Sequence, residues 1–142
     1  MTAKQFLNQY SQLKRERALL ELKRQEIKRN IFPKAASLKE KVMTSEQISL
    51  QELLQEKAEE LEKKQLQITE VMADKMDEIA SAIDKITDIN YKELLTRRYL
   101  FNEDWENIAN NMNYTTRHIH RMHSRALYIL AVQEGLEIKR CQ

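Results

Sequence analysis

Residues 105–130, WENIANNMNYTTRHIHRMHSRALYIL, contain the clearest structural pattern of the chain. Its apolar residues recur every three to four positions in two groups, which is typical of two amphipathic helices. The first group is Trp105, Ile108, Ala109 and Met112, and the second is Ile119, Met122, Ala126 and Leu130. Asn113 lies between the groups and tolerates a left-handed backbone, and Thr115 or Thr116 can cap the second helix. The pattern predicts a helix-turn-helix.

The outward face of the second helix carries donors and no carboxylate. At about 100° per residue, this face lies opposite Ile119. It holds Arg117, His120, Arg121, Ser124 and Tyr128, with His118 and Arg125 at its sides. No Asp or Glu occurs from residue 107 to residue 133. Such a face suits the DNA major groove and its phosphates; the same composition also fits a basic, solvated face, but the turn and the cap favour DNA binding.

Two known families resemble this region. IANNMNYTTRHIHRMHSRAL resembles the end of a sigma-70 region 4 domain at Ile108, Ala109, Met112, Thr115, Ile119, Met122, Ala126 and Leu127. The longer stretch YKELLTRRYLFNEDWENIANNMNYTTRHIHRMHSRAL, residues 91–127, is similar to phage late-gene transcription regulators of the ArpU/RinA type. The resemblance implies a sequence-specific regulator of phage or prophage late genes that binds double-stranded DNA and contacts bacterial RNA polymerase. Before residue 91 the likeness is only architectural.

The recognition helix is expected to run from Thr116 to Leu130 in the major groove. The expected DNA-binding residues are Thr115, Thr116, Arg117, His118, His120, Arg121, Ser124 and Arg125. Arg117 and Arg121 are expected to read base edges, supplemented by Thr116, His120 and Ser124, while Thr115, His118 and Arg125 contact phosphates. By the same resemblance, sigma factors carry an acid at the position of Arg117 and a glutamine at that of Arg121, so a different DNA sequence should be read.

Composition and charge predict an all-α protein of two parts. One Gly, one Pro and 32% charged residues leave few ways to build turns. Residues 1–41 hold 11 Lys and Arg against 4 Asp and Glu, whereas residues 42–87 hold 5 against 11. These opposite charges favour pairing of the two segments. We therefore predict a helical hairpin over residues 1–87 and a region-4-like helix-turn-helix domain over residues 88–142.

The hairpin is predicted from two apolar seams with a heptad-like step. A first helix over about residues 3–30 has Phe6, Tyr10, Leu13, Leu20, Ile27 and Ile31, interrupted by Arg17 and Arg24. A second over about residues 46–86 has Leu54, Ala58, Leu61, Ile68, Met72, Ile79, Ala82 and Ile86, with Gln65 and Lys75 between them. Pro33 ends the first helix and begins a hinge-like connector over about residues 32–45. The longer second helix leaves apolar surface for the C-terminal domain or a second copy, so a homodimer is one expectation.

Helix ends are predicted from capping residues. Ser45 or Ser49 is expected to cap the second helix and Asp88 or Asn90 the third, with Ile89, Leu94, Leu95 and Tyr99 packing inward. Asn102 is expected to cap a helix beginning at Glu103, and Gly135 to end the last helix.

Nothing in the pattern predicts an enzyme or a cofactor. There is no phosphate-cradling glycine loop and no nucleophile elbow. His118, His120 and His123 lack a nearby carboxylate or cysteine to complete a metal site. One cysteine, Cys141, no apolar leader and no membrane-length run lead us to expect a cytoplasmic protein.

Two other functions remain open. A small terminase-like DNA-packaging subunit would also carry a helix-turn-helix, with the long helices building a ring. A coiled-coil adaptor would bind protein only, through the basic helix.

Overall fold

The computed structural model describes residues 1–31 and 44–138, and of Ile31 only the backbone. Its helices are α1 (Ala3–Ile31), α2 (Ser45–Asp84), α3 (Ile89–Leu95), α4 (Trp105–Met112) and α5 (Thr116–Glu134), and a π-helical turn (Thr96–Leu100) follows α3. Within the described residues there is no strand, only an isolated parallel bridge between Thr2 and Glu137. The predicted all-α class is confirmed. Of the hinge predicted over about residues 32–45, residues 32–43 with Pro33 lie outside the described residues, as does Cys141.

The chain divides into two units. One, the terminal unit, consists of Met1–Leu13 and Met72–Gln142; the other, the middle unit, is Lys14–Val71. Both long helices contribute to both units. The division between residues 87 and 88 stays a prediction.

The terminal unit has two apolar clusters. The larger one joins the beginning of α1 and the end of α2 to α3, the π turn and α5, and its fully buried members include Leu7, Ile79, Leu95 and Leu130. The smaller cluster joins α3, α4 and α5 and consists of Leu94, Ile108, Ala109, Met112, Ile119 and Met122. A fully buried aliphatic side chain contributes about 1.5–3 kcal/mol, so these clusters hold α5 in place from its inward side.

In the middle unit, polar side chains of α1 and α2 bond to each other. Arg24 donates to the side-chain oxygen of Gln65 at 3.0 Å, and Gln65 donates to Glu21 at 2.7 Å. Arg24 also lies 3.9 Å from a carboxylate oxygen of Glu62. The hydrogen bond from Gln65 is the main cause of the lowered pKa of Glu21. Arg24 and Gln65, which interrupt the predicted apolar seams of the two helices, are therefore hydrogen-bonded to one another.

The predicted helix ends are partly confirmed. Asp88 caps α3 by accepting from the backbone N–H of Asn90. Gly135, with φ 66°, ends α5, as expected from the residue that best tolerates this backbone conformation. The prediction that Ile89 packs inward is wrong, because its side chain is 70% exposed.

Two predicted caps are wrong. Residue Thr44, not Ser45 or Ser49, caps α2: its hydroxyl accepts from the backbone N–H of Gln47, whose side chain accepts from the N–H of Thr44. This reciprocal pair is a capping box. Asn102 does not cap α4, which begins at Trp105 after its cap Asp104.

The π turn explains the second error. The backbone N–H of Phe101 donates to the carbonyl of Thr96, five residues back, at 3.0 Å. The chain then bends at Asn102, where φ is 55°. The wider turn and the bend delay the next helix by two residues, so the cap falls on Asp104.

Candidate nucleic-acid interface

The connection between α4 and α5 is short and conformationally defined. Asn113 adopts φ 60° and ψ 41°, the left-handed conformation predicted for it. The backbone N–H of Tyr114 then donates to the carbonyl of Ala109 at 3.0 Å. Thr115 is the cap of α5, and its hydroxyl accepts from the backbone N–H of His118 at 3.1 Å. The backbone conformation of Asn113, the hydrogen bond of Tyr114 and the cap at Thr115 together determine where α5 begins.

Burial divides α5 into an inward and an outward side. Ile119, Ala126 and Leu130 are fully buried. The eight predicted DNA-binding residues are all exposed: Thr115, Thr116, Arg117, His118, His120, Arg121, Ser124 and Arg125. The only acid of α5, Glu134, lies in its last turn and pairs with Lys85 at 3.4 Å. The exposed side chains thus share one carboxylate-free surface, which we call the α5 outer face.

The arginines of the α5 outer face have no partner among the described residues. No hydrogen bond or ion pair joins Arg117, Arg121 or Arg125 to residues 1–31 or 44–138. By contrast, Arg97 bonds to both Glu93 and Glu103, at 3.0 and 3.1 Å. The three guanidinium groups, spaced four residues apart, recur about every 6 Å along the helix and keep their donors available for an external acceptor.

The hydroxyls of the outer face are partly committed. Ser124 donates to the backbone carbonyl of His120 at 3.2 Å, which leaves its oxygen as an acceptor only. The oxygen of Thr115 accepts the capping bond, so that its hydroxyl proton stays available. Ser124 can therefore accept from an external N–H group, whereas Thr115 can donate.

Two of the histidines are held by aromatic neighbours. The ring centroid of His118 lies 4.7 Å from that of Tyr114, and the ring centroid of His120 lies 4.5 Å from that of Trp105. Trp105 is predicted only to lie on a core face. Its indole is in fact half-buried, and the guanidinium of Arg98 lies over the ring, 4.3 Å from the centroid. No spacing in the sequence indicates this arrangement, because the π turn sets the position of Arg98.

His123 is not part of the outer face. It is buried and its Nε2 lies 2.6 Å from the hydroxyl of Tyr99. Burial, reinforced by the charges of Lys4 and Arg98, lowers the pKa of His123 to about 4, and burial raises the pKa of Tyr99 to about 12. His123 lies four residues after Ile119 and three before Ala126, a helical spacing that places it on the inward side.

Two other features are absent from the described residues. Across residues 1–31 and 44–138, no three His, Cys, Asp or Glu side chains are grouped so that they could hold a metal ion. None of the described helices combines the length and the apolar character needed to cross a membrane.

In comparisons with known proteins, the chain matches no family model, no curated protein and no solved structure.

Proposed function

We propose that the protein is a sequence-specific DNA-binding transcription regulator in which α4 and α5 form a helix-turn-helix. The observation that carries the proposal is the α5 outer face, which is exposed, free of carboxylates and equipped with three arginines that have no partner among the described residues. Guanidinium groups are the commonest readers of guanine and also bind phosphates. A surface for solubility alone would mix charges of both signs.

In this proposal, different residues along α5 contact bases and phosphates. Arg117 and Arg121, one helical turn apart, read base edges in the major groove. Thr116 and His120 supplement them, and Ser124 accepts from a base amino group, since its own proton is committed. Phosphates are contacted by Thr115, His118 and Arg125 at the two ends of this surface.

The remaining parts of the proposal rest on separate support. That the regulator activates phage or prophage late genes in a bacterial cell and contacts RNA polymerase is supported only by the resemblance of residues 91–127. That α1 and α2 form an antiparallel hairpin is supported by two contacts in the middle unit, Glu21 with Gln65 and Arg24 with Glu62. From the first contact to the second, the residue number rises from 21 to 24 along α1 and falls from 65 to 62 along α2, which is the order that antiparallel helices require. A homodimer through leftover α2 surface completes the proposal.

Selection from a randomised duplex library tests the proposed function and identifies the target sequence at the same time. The native protein should enrich one motif over successive rounds, because base contacts by Arg117 and Arg121 favour particular base pairs. The Arg117→Ala/Arg121→Ala variant should retain duplex without enriching that motif. Retention of duplex with no enriched motif by the native protein would instead favour a packaging protein, and no retention at low salt would favour a protein-binding adaptor.

A further inference from the structure

The indole of Trp105 is a meeting point of three elements. The guanidinium of Arg98, in the π turn, lies 4.3 Å from the ring centroid. The buried imidazole of His123 meets it edge-on, with centroids 4.7 Å apart and planes at 73°. The exposed imidazole of His120 lies 4.5 Å away, tilted by 46°. The contacts with Arg98 and His123 restrict the position of the indole. The contact with His120 packs the exposed imidazole against that ring.

Arg98 and His123, which contact the indole, are themselves fixed by hydrogen bonds. Arg98 donates to the backbone carbonyl of Glu103 at 3.1 Å, which keeps its guanidinium beside the indole. His123 is bonded to Tyr99. Trp105 also packs against the smaller apolar cluster. The indole is therefore more constrained than an aromatic side chain at the edge of a short helix would otherwise be.

His120 has no comparable constraint of its own. It is exposed, and within the described residues no protein group accepts or donates a hydrogen bond at its ring nitrogens. An exposed side chain that must be ordered on binding loses rotamer freedom at that moment. The ring contact with Trp105 removes part of this loss in advance.

We propose that Trp105 is a positioning residue, which holds the imidazole of His120 at the α5 outer face in the orientation used to contact DNA. The proposal rests on the proposed function and adds a residue that does not itself touch DNA. Because Trp105 acts through His120, its contribution to affinity disappears when His120 is absent. Phe at position 105 keeps an aromatic ring for the contact with His120 and should support much of the same effect, whereas Leu has no such ring.

A double-mutant cycle measures this dependence. The dissociation constant for the duplex enriched from the randomised library is measured for the native protein, Trp105→Leu, His120→Ala and the double variant. Each single substitution should weaken binding about fivefold, within the range of one hydrogen bond, and the double variant should be no weaker than either. Trp105→Phe should bind within about twofold of the native protein, because it keeps an aromatic ring beside His120. Losses that multiply in the double variant, or equal losses with Phe and Leu, would overturn the proposal.

A measurement without DNA tests the ring contact between Trp105 and His120 itself. In proton NMR, the ring current of the indole should move the imidazole C–H resonances of His120 upfield relative to the same resonances in Trp105→Leu. His118 serves as an internal control, since its aromatic neighbour is Tyr114 and its resonances should be the same in the native protein and in Trp105→Leu. Should Trp105→Leu fail to fold, as judged by circular dichroism, Trp105→Phe replaces it, with a smaller ring current. Unshifted His120 resonances in the native protein would overturn the proposal.

The two measurements separate the proposals. Shifted His120 resonances with multiplying losses of affinity would overturn positioning while DNA recognition stands. Shifted resonances in a native protein that binds no duplex would overturn both, because an ordered His120 would then have no DNA to contact.

Discussion

The hydroxyl of Tyr99 and Nε2 of His123 lie 2.6 Å apart in the interior of the terminal unit. The contact ties the π turn to α5, since Tyr99 belongs to the first and His123 to the second. The ring centroids of the two residues are 5.8 Å apart and the rings are nearly parallel, at 23°. A neutral imidazole and a phenol can satisfy one another in either tautomer of the histidine. The pair thus fixes the depth at which α5 sits while its outer face stays exposed.

Removing the phenolic hydroxyl should destabilise the protein. In Tyr99→Phe, the ring nitrogen of His123 keeps its buried position but loses its partner, which costs about 1–3 kcal/mol of unfolding free energy. Urea denaturation followed by circular dichroism measures this difference. Tyr128→Phe is the matched control, because Tyr128 is 56% exposed. A loss no larger than that of the control would show that the contact does not stabilise the fold.

Stability should fall with acid because of His123. Burial lowers its pKa to about 4, whereas in an unfolded chain it takes up a proton near pH 6.5. The contribution of His123 is therefore fully present above pH 6.5 and is lost as pH falls towards 4, by at most about 1.4 kcal/mol per pH unit.

The histidine contribution is isolated by comparing the change in unfolding free energy between pH 7 and pH 5 in variants. The change should be smaller in His123→Gln than in the native protein, because glutamine takes up no proton. His118→Gln, at an exposed position, should leave the native change intact. The same pH dependence in His123→Gln as in the native protein would contradict this assignment.

Substitutions in the middle unit should reveal the coupling of α1 to α2. Gln65→Leu removes one of the acceptors of the half-buried Arg24 guanidinium, which keeps its contacts with Glu21 and Glu62, and should cost about 1 kcal/mol. Arg24→Leu/Gln65→Leu should be more stable than Gln65→Leu alone, because two apolar side chains of similar size replace a polar pair.

Thermal unfolding followed at 222 nm compares these variants. Gln67→Leu, the same substitution at an exposed position of α2, controls for the change in helix propensity. If the double variant is the least stable of the set, the two residues do not couple the helices.

Short-range chemistry explains which features could be predicted from the sequence. Asn113, Thr115 and Gly135 each act on backbone groups within a few residues, and their conformations follow from their own side chains. The cap predicted at Asn102 is wrong because a π turn, which contains the buried Tyr99, precedes it, and the helical periodicity gives no sign of that turn. Exposure of α5 residues followed from helical periodicity, since one face had to be buried.

The partners of the site residues could not be predicted in the same way. Contacts of Trp105 with Arg98 and His120 join three elements whose relative placement is set by the apolar clusters. Periodicity indicates which side of a helix is buried but not which side chain of another helix it meets. The burial of His123 can be predicted from its helical spacing to Ile119. Its hydrogen bond to Tyr99 cannot, because Tyr99 belongs to another element.

The most direct test of the account is the selectivity of the protein between the enriched duplex and a scrambled duplex of equal length. Fluorescence anisotropy gives both dissociation constants, at about 50 and 200 mM salt, for the native protein, Arg117→Ala/Arg121→Ala and the control Arg15→Ala/Arg17→Ala. The control removes the same charge from exposed positions of α1. We expect both affinities to fall with salt, and selectivity to drop by at least about tenfold only in the α5 variant. Equal losses on both duplexes in that variant, or no selectivity in the native protein, would contradict recognition by the α5 outer face.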